Sequence, residues 1–175
     1  MAESFGQNLI ELLPNLRRFA LSITRSATKA DDLVQITCEK ALANQTSYQS
    51  GTRLDAWLFR IMRNSWIDQI RRDKTGGTKV DIDDAFDLAG EDGRTITENS
   101  LMVKTTQNAI SRLPDDQREV LVLICVEELS YQETASLLDV PIGTVMSRLA
   151  RARKKVADAM GINAQLTRSS KSEEL

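Results

Sequence analysis

Thr144, Ser147, Arg148, Arg151 and Lys155 fall in one short segment, and their side chains suit nucleic acid. Guanidinium and ammonium groups neutralise phosphates, while hydroxyls bond phosphates or base edges. Val145, Leu149, Ala152 and Val156 recur at helical spacing, so they form a buried stripe and leave the polar set on other sides. Ser130 followed by Glu133 is a capping box that starts a shorter helix with Ala135, Leu137 and Leu138 inside. Asp139-Val140-Pro141-Ile142-Gly143 breaks the chain between the two. Asp158 is the first acid after Asp139, so the second helix is cationic. Helix, tight turn and cationic helix together read as a helix-turn-helix, whose second helix enters a groove of DNA. The bland alternative is a solvated basic helix that caps a bundle.

Two further sets of residues stand out. Arg60, Arg63 and Asn64 lie largely off the apolar stripe Leu54, Trp57, Leu58, Ile61, Met62, Trp66 and Ile70 of a helix over about 53–73. A loop of turn formers, Asn44–Thr52, precedes it and carries Tyr48. Earlier, Asp31, Gln35 and Glu39 are spaced four apart on one face of a helix over about 29–43, with Asp32 beside them. Such a row is either ordinary solvated surface or a protein-docking face.

The remaining composition limits the chemistry. There is no histidine among the 175 residues, which removes the commonest general base and transition-metal ligand. Neither a glycine-rich phosphate loop nor a metal-ligand cluster is present, so no catalytic residue, cofactor or metal site is expected. Cys38 and Cys125 lie in apolar helical patterns outside any CxxC pair and are expected as small buried thiols. No run approaches the roughly 20 apolar residues of a membrane span, and the polar N-terminus is unlike a signal peptide. A cytoplasmic location is expected. The net charge is −2 and the pI about 5.3, so any DNA binding must be local or depend on a partner.

Sparse glycine and proline and a Leu, Ile, Val and Ala core predict an all-α chain. Leu9, Leu12, Leu13, Leu16, Phe19, Ala20 and Ile23 follow helical spacing, with Arg17, Arg18 and Arg25 as a basic flank. Pro14 predicts a kink there, or a helix that begins at that point. Residues 75–101 are acidic and lack a sustained period, the pattern of a flexible linker. Beyond it, a helix is predicted over Met102–Leu113 and another opens with Asp115 and Asp116. The layout is two small helical domains, 9–74 and 102–160, with a polar tail over 161–175. Two DNA-reading modules on one chain gain from effective concentration.

ADDLVQITCEKAL, WLFRIMRNSWIDQIRRD and LPDDQREVLVLICVEELSYQETASLLDVPIGTVMSRLARARKK, in that order, resemble a bacterial RNA polymerase sigma factor of the extracytoplasmic-function (ECF, group IV) class. The resemblance runs from Leu9 to Val156 apart from the linker, and the chain has no room for the extra domains of housekeeping sigma factors. It implies that the N-terminal domain is sigma region 2 and the C-terminal one sigma region 4. Asp31, Asp32, Gln35 and Glu39 would then dock on the coiled coil of the polymerase β′ subunit. Arg60, Arg63, Asn64 and the Tyr48 loop would read and melt the −10 element. Capture of a flipped base offsets part of the lost stacking. Asn64 could bond a base edge, while Tyr48 either lines the pocket or anchors the loop.

By the same resemblance, Thr144, Ser147, Arg148 and Arg151 would face the −35 element, with Lys155 further along. Met146 stands where many members have a basic residue; an apolar contact there, such as to a thymine methyl, would alter the −35 sequence that is read. The implied partners are core polymerase (β′ coiled coil and β flap), promoter DNA and an anti-sigma factor. The protein would be a monomer or in a 1:1 complex, and near the nucleoid when on polymerase. The alternative is a sigma-like decoy that sequesters an anti-sigma factor, against which the retained arginines argue. A one-component regulator or an enzyme fits the residues less well.

Overall fold

The computed structural model describes residues 2–76 and 98–162, and every regular element among them is helical. The central part of the acidic linker and the end of the polar tail lie outside the described residues. The N-terminal domain is α1 (Ala2–Glu11), α2 (Leu13–Thr24), α3 (Ala27–Ala43), a short 3-10 turn over Gln45–Ser47, and α4 (Leu54–Thr75). The C-terminal domain is α5 (Glu98–Ser111), α6 (Asp115–Cys125), α7 (Tyr131–Leu138) and α8 (Ile142–Ala159).

Proline explains the first break. Pro14 has no N–H to give, so it sits in the first turn of α2, and the chain restarts at Leu12 rather than kinking mid-helix. Arg25 ends α2 in the left-handed region (φ 56°), and Ser26 starts α3 by accepting the Lys29 N–H. Leu16, Phe19 and Ala20 of α2, Ala30, Leu33 and Ala41 of α3, and Leu58, Phe59 and Met62 of α4 are fully buried together. Phe19 and Phe59 meet at 4.9 Å between centroids. The ends extend past the sequence expectation. α4 runs on to Thr75 and α5 begins at Glu98, so the first residue and the last four of the expected linker are helical.

In the second domain the Ser130 hydroxyl accepts the Glu133 N–H at 3.1 Å and the Glu133 carboxylate accepts the Ser130 N–H at 2.7 Å. The capping box is therefore complete in both directions. Glu133 is held below the usual carboxylate range, first by that backbone N–H and then by the hydroxyl and Arg53. Asp139 closes α7 at φ 55°, and Pro141 stands at the N-cap of α8. Val145, Leu149 and Ala152 are buried as the stripe predicts, against Val120 and Leu123 of α6 and Leu138 of α7. One expectation fails: Cys125 is exposed. It is the last residue of α6, past the buried run, and Arg153 of α8 donates to its sulfur at 3.7 Å. Cys38, within α3, is half-buried, and burial pushes its thiol up.

The domains do not stand apart. α2 packs on α6, and α4 packs on α7. Glu127, in the turn after α6, is 4% exposed because both carboxylate oxygens are taken by the other domain. Arg18 donates to them from Nε and Nη2 at 2.7 and 2.9 Å, and Asn15 donates at 2.9 Å. Arg53 donates to the carbonyls of Glu127 and Glu128, and Arg25 to those of Ser111 and Leu113. Arg118, 3% exposed, donates to the Ser22 carbonyl across the boundary and to Leu113 and Asp115 on its own side. Its burial lowers the guanidinium's proton affinity, which Asp115 partly restores.

Candidate nucleic-acid interface

The N-terminal half of α8 decides what the second domain offers. An α-helix has four ridges of residues spaced four apart. The two ridges carrying Val145 and Ala152 turn inward. The other two turn out, and all of their residues from Ile142 to Lys155 are exposed. One is polar: Gly143, Ser147, Arg151 and Lys155. Its neighbour is Ile142, Met146, Ala150 and Lys154. Ser147, Arg151 and Lys155 thus share the open face, as expected. Thr144 and Arg148 do not sit fully on it. Both are half-buried on the side toward α6, where Arg148 Nε lies 3.3 Å from an Asp116 carboxylate oxygen.

In the first domain, Arg60, Arg63 and Asn64 line one wall of a cleft of about 580 Å³, with Arg71 further along the same helix. Ser136, Leu137 and Asp139 of α7 form the opposite wall. Asn64 is exposed. The two arginines reach across. Arg60 Nη2 donates to the Ser136 carbonyl at 3.1 Å, and Arg63 Nε donates to Glu119 at 2.7 Å. Glu119 is 14% exposed, and burial pushes its carboxyl up while Arg63 opposes that. A surface read as open in the sequence is therefore partly covered by the second domain: Arg63 is half-buried, while Arg60 and Asn64 stay exposed.

Tyr48 is an anchor in this arrangement. Its ring packs on Trp57 at 5.5 Å and on Phe5 at 6.1 Å, and its hydroxyl donates to the Thr52 carbonyl at 2.6 Å. Phe5 joins this cluster because α1 folds back over α4, which the helical pattern from Leu9 onward did not include. Trp66 packs beside the core, half-buried. On the far side, Asp31, Asp32, Gln35 and Glu39 are all exposed on one face of α3. Gln35 donates to Glu39 at 3.1 Å, and Asp31 accepts from Arg17 at 2.8 Å. These are solvent-screened contacts worth only tenths of a kcal/mol, so a partner displaces them at little cost.

Sequence reasoning missed Glu119, Glu127, Arg118 and Arg53, which are among the residues that join the domains. A usable signal existed. Residues Val120–Val126 are apolar on every side, and a helix of that kind is covered on more than one face.

Relatives carry the same architecture. Residues 9–75 match the family described as Sigma-70 region 2, and residues 105–156 the one described as Sigma-70, region 4. The ECF RNA polymerase sigma factor EcfG of Rhodopseudomonas palustris is 36% identical over 157 residues, 90% of this chain and 85% of that protein. Among solved structures, the sigma factor RpoE of Bartonella quintana, in complex with the anti-sigma factor NepR, aligns with a TM-score of 0.77 at 35% identity. That alignment covers 91% of this chain and 98% of RpoE. CnrH, in complex with the cytosolic domain of CnrY, shares the fold at a TM-score of 0.64 and 24% identity, over 93% and 90% of the two chains. With both regions matched in order and identity sustained over nine-tenths of its length, the chain belongs to the ECF sigma factors of RNA polymerase.

Proposed function

We propose that the chain docks on core polymerase through the acidic face of α3, reads the −35 element with the exposed ridges of α8, and reads and melts the −10 element with α4. It acts by recognition and not by catalysis. The observation that carries the reading is the separation of charge over the surface: Asp31, Asp32, Gln35 and Glu39 are exposed on α3, and Ser147, Arg151 and Lys155 on α8. An acidic face suits a basic protein surface, and a cationic helix after a tight turn suits a DNA groove. The overall charge of −2 is no obstacle, because polymerase supplies most of the DNA-binding surface. Among the described residues, no helix is long and apolar enough to cross a membrane.

Control by an anti-sigma factor belongs to the same reading and is supported by the likeness to RpoE, which was solved with one bound. The test is to add the purified chain to core polymerase with a promoter library. Specific transcripts are expected. Arg151→Ala should lose −35-dependent transcription while core binding persists, and Asp32→Ala with Gln35→Ala should weaken core binding. Absence of both core binding and transcripts overturns the reading.

A further inference from the structure

The outward ridge Ile142, Met146 and Ala150 lies outside the buried core of the domain. Met146 is 52% exposed and Ile142 43%, on the first turns of a helix whose inward apolar residues Val145, Leu149 and Ala152 are buried. Exposed apolar side chains are common on protein surfaces, Met102 and Ile10 among them, so it is the place of Met146 and Ile142 at the start of α8 that matters. Ser147 and Arg151, on the adjoining ridge, are exposed beside them. A Cβ placed on Gly143 would meet nothing within 4 Å, so the backbone itself is open to close approach at the helix start. The amino-terminal turns of such a helix are those that reach base edges.

In the major groove the thymine C5-methyl is the apolar group that base edges present, and it pairs with apolar side chains. We infer that Met146, with Ile142 one turn earlier, reads thymine methyl groups in the −35 element, and that Ser147 and Arg151 supply the polar contacts alongside. This inference rests on the −35 reading of α8 and adds the base chemistry that α8 selects. Met146 is then a specificity-determining residue, and the elements this chain prefers carry thymine on one strand where that side chain lies. A long, unbranched thioether follows a methyl without a fixed rotamer, which suits contact with either strand.

The test removes one carbon from the DNA. Promoters are first selected with the full chain and core polymerase from a library randomised over the −35 element. Each selected thymine is then replaced by deoxyuridine, which keeps the hydrogen-bonding edge and lacks the methyl. Holoenzyme binding is expected to weaken about fourfold at one or two positions, the worth of one buried carbon. Met146→Ala should bind the thymine promoter more weakly and lose its response to deoxyuridine there. Ile142→Ala should behave likewise at a neighbouring position.

Equal binding of thymine and deoxyuridine promoters by the unaltered chain overturns the inference, while a persisting Arg151→Ala defect leaves the −35 reading in place. A chain that selects no −35 sequence overturns both. If Met146→Ala instead lowers affinity for core polymerase without DNA, the ridge is a protein contact and the inference falls.

Discussion

Arg63 of α4 and Glu119 of α6 form an ion pair at 2.7 Å across the boundary between the two domains, with both side chains mostly buried. A carboxylate there occupies the guanidinium in the position a phosphate would take. Glu119→Gln keeps the shape of the side chain and removes its charge, so Arg63 is released electrostatically. The full chain is expected to bind single-stranded DNA more tightly, with a salt dependence steeper by about one phosphate contact. Fluorescence anisotropy with a labelled oligonucleotide at several salt concentrations measures both. Unchanged affinity and slope would show that Arg63 does not face nucleic acid.

Arg18 and Glu127 make the bidentate pair that holds α2 against the end of α6. Removing one partner of a wholly buried pair costs about 3 kcal/mol or more. Arg18 is 47% exposed, so water screens part of that, and about 1–2 kcal/mol is expected for Arg18→Ala. The loss falls on docking between domains more than on either core, since Leu16 and Leu123 keep their neighbours. Small-angle scattering should report a larger radius of gyration for the variant. An unchanged radius would mean that the apolar contact of α2 with α6 suffices to hold the domains.

Much of each domain was legible because its signals are local. The Ser130 and Glu133 pair, the Pro14 break and the spacing of Val145, Leu149 and Ala152 are each set within a turn or two of chain, and all appear in the structure. The acidic row of α3 was legible for the same reason. The contact between domains was not. Arg18 and Glu127 lie 109 residues apart, and nothing in the spacing of either marks it as a partner. Arg63 read as free surface because its cover comes from α6, outside its own helix. Arg148 read as a DNA contact because it is charged and near the start of α8. The structure turns it toward Asp116, since it shares the inward ridge of Ala152.

The capping box of α7 gives a pH-dependent term. Glu133 has its carboxyl held down by the Ser130 N–H first, and by Arg53 among others. A carboxylate depressed in the folded state contributes stability above its unfolded pKa and loses it as pH falls through the folded value. Stability of the second domain should therefore decline below the usual carboxylate range, and less so in Glu133→Gln, which cannot titrate. Ser130→Ala removes the hydroxyl side of the box and is expected to cost about 1 kcal/mol. Thermal unfolding across an acidic pH series reads both effects. Parallel profiles for the unaltered chain and Glu133→Gln would dismiss the box as the source.

Arg148 and Arg151 separate structure from recognition on one helix. Arg148 has a quarter of its side chain exposed and an acid of α6 at 3.3 Å, whereas Arg151 is exposed on the polar ridge with Ser147 and Lys155. Arg151→Ala should leave the melting temperature within the range of ordinary surface substitutions, about 0.5 kcal/mol, and lower affinity for −35 DNA. Arg148→Ala should lower the melting temperature as well, because it loosens α8 from α6. Asp116→Asn is the companion variant. It should reproduce the loss of stability seen in Arg148→Ala without the full loss of DNA affinity, since the guanidinium remains. If Arg148→Ala instead matches Arg151→Ala in stability, the Asp116 contact carries no weight and Arg148 acts on DNA alone.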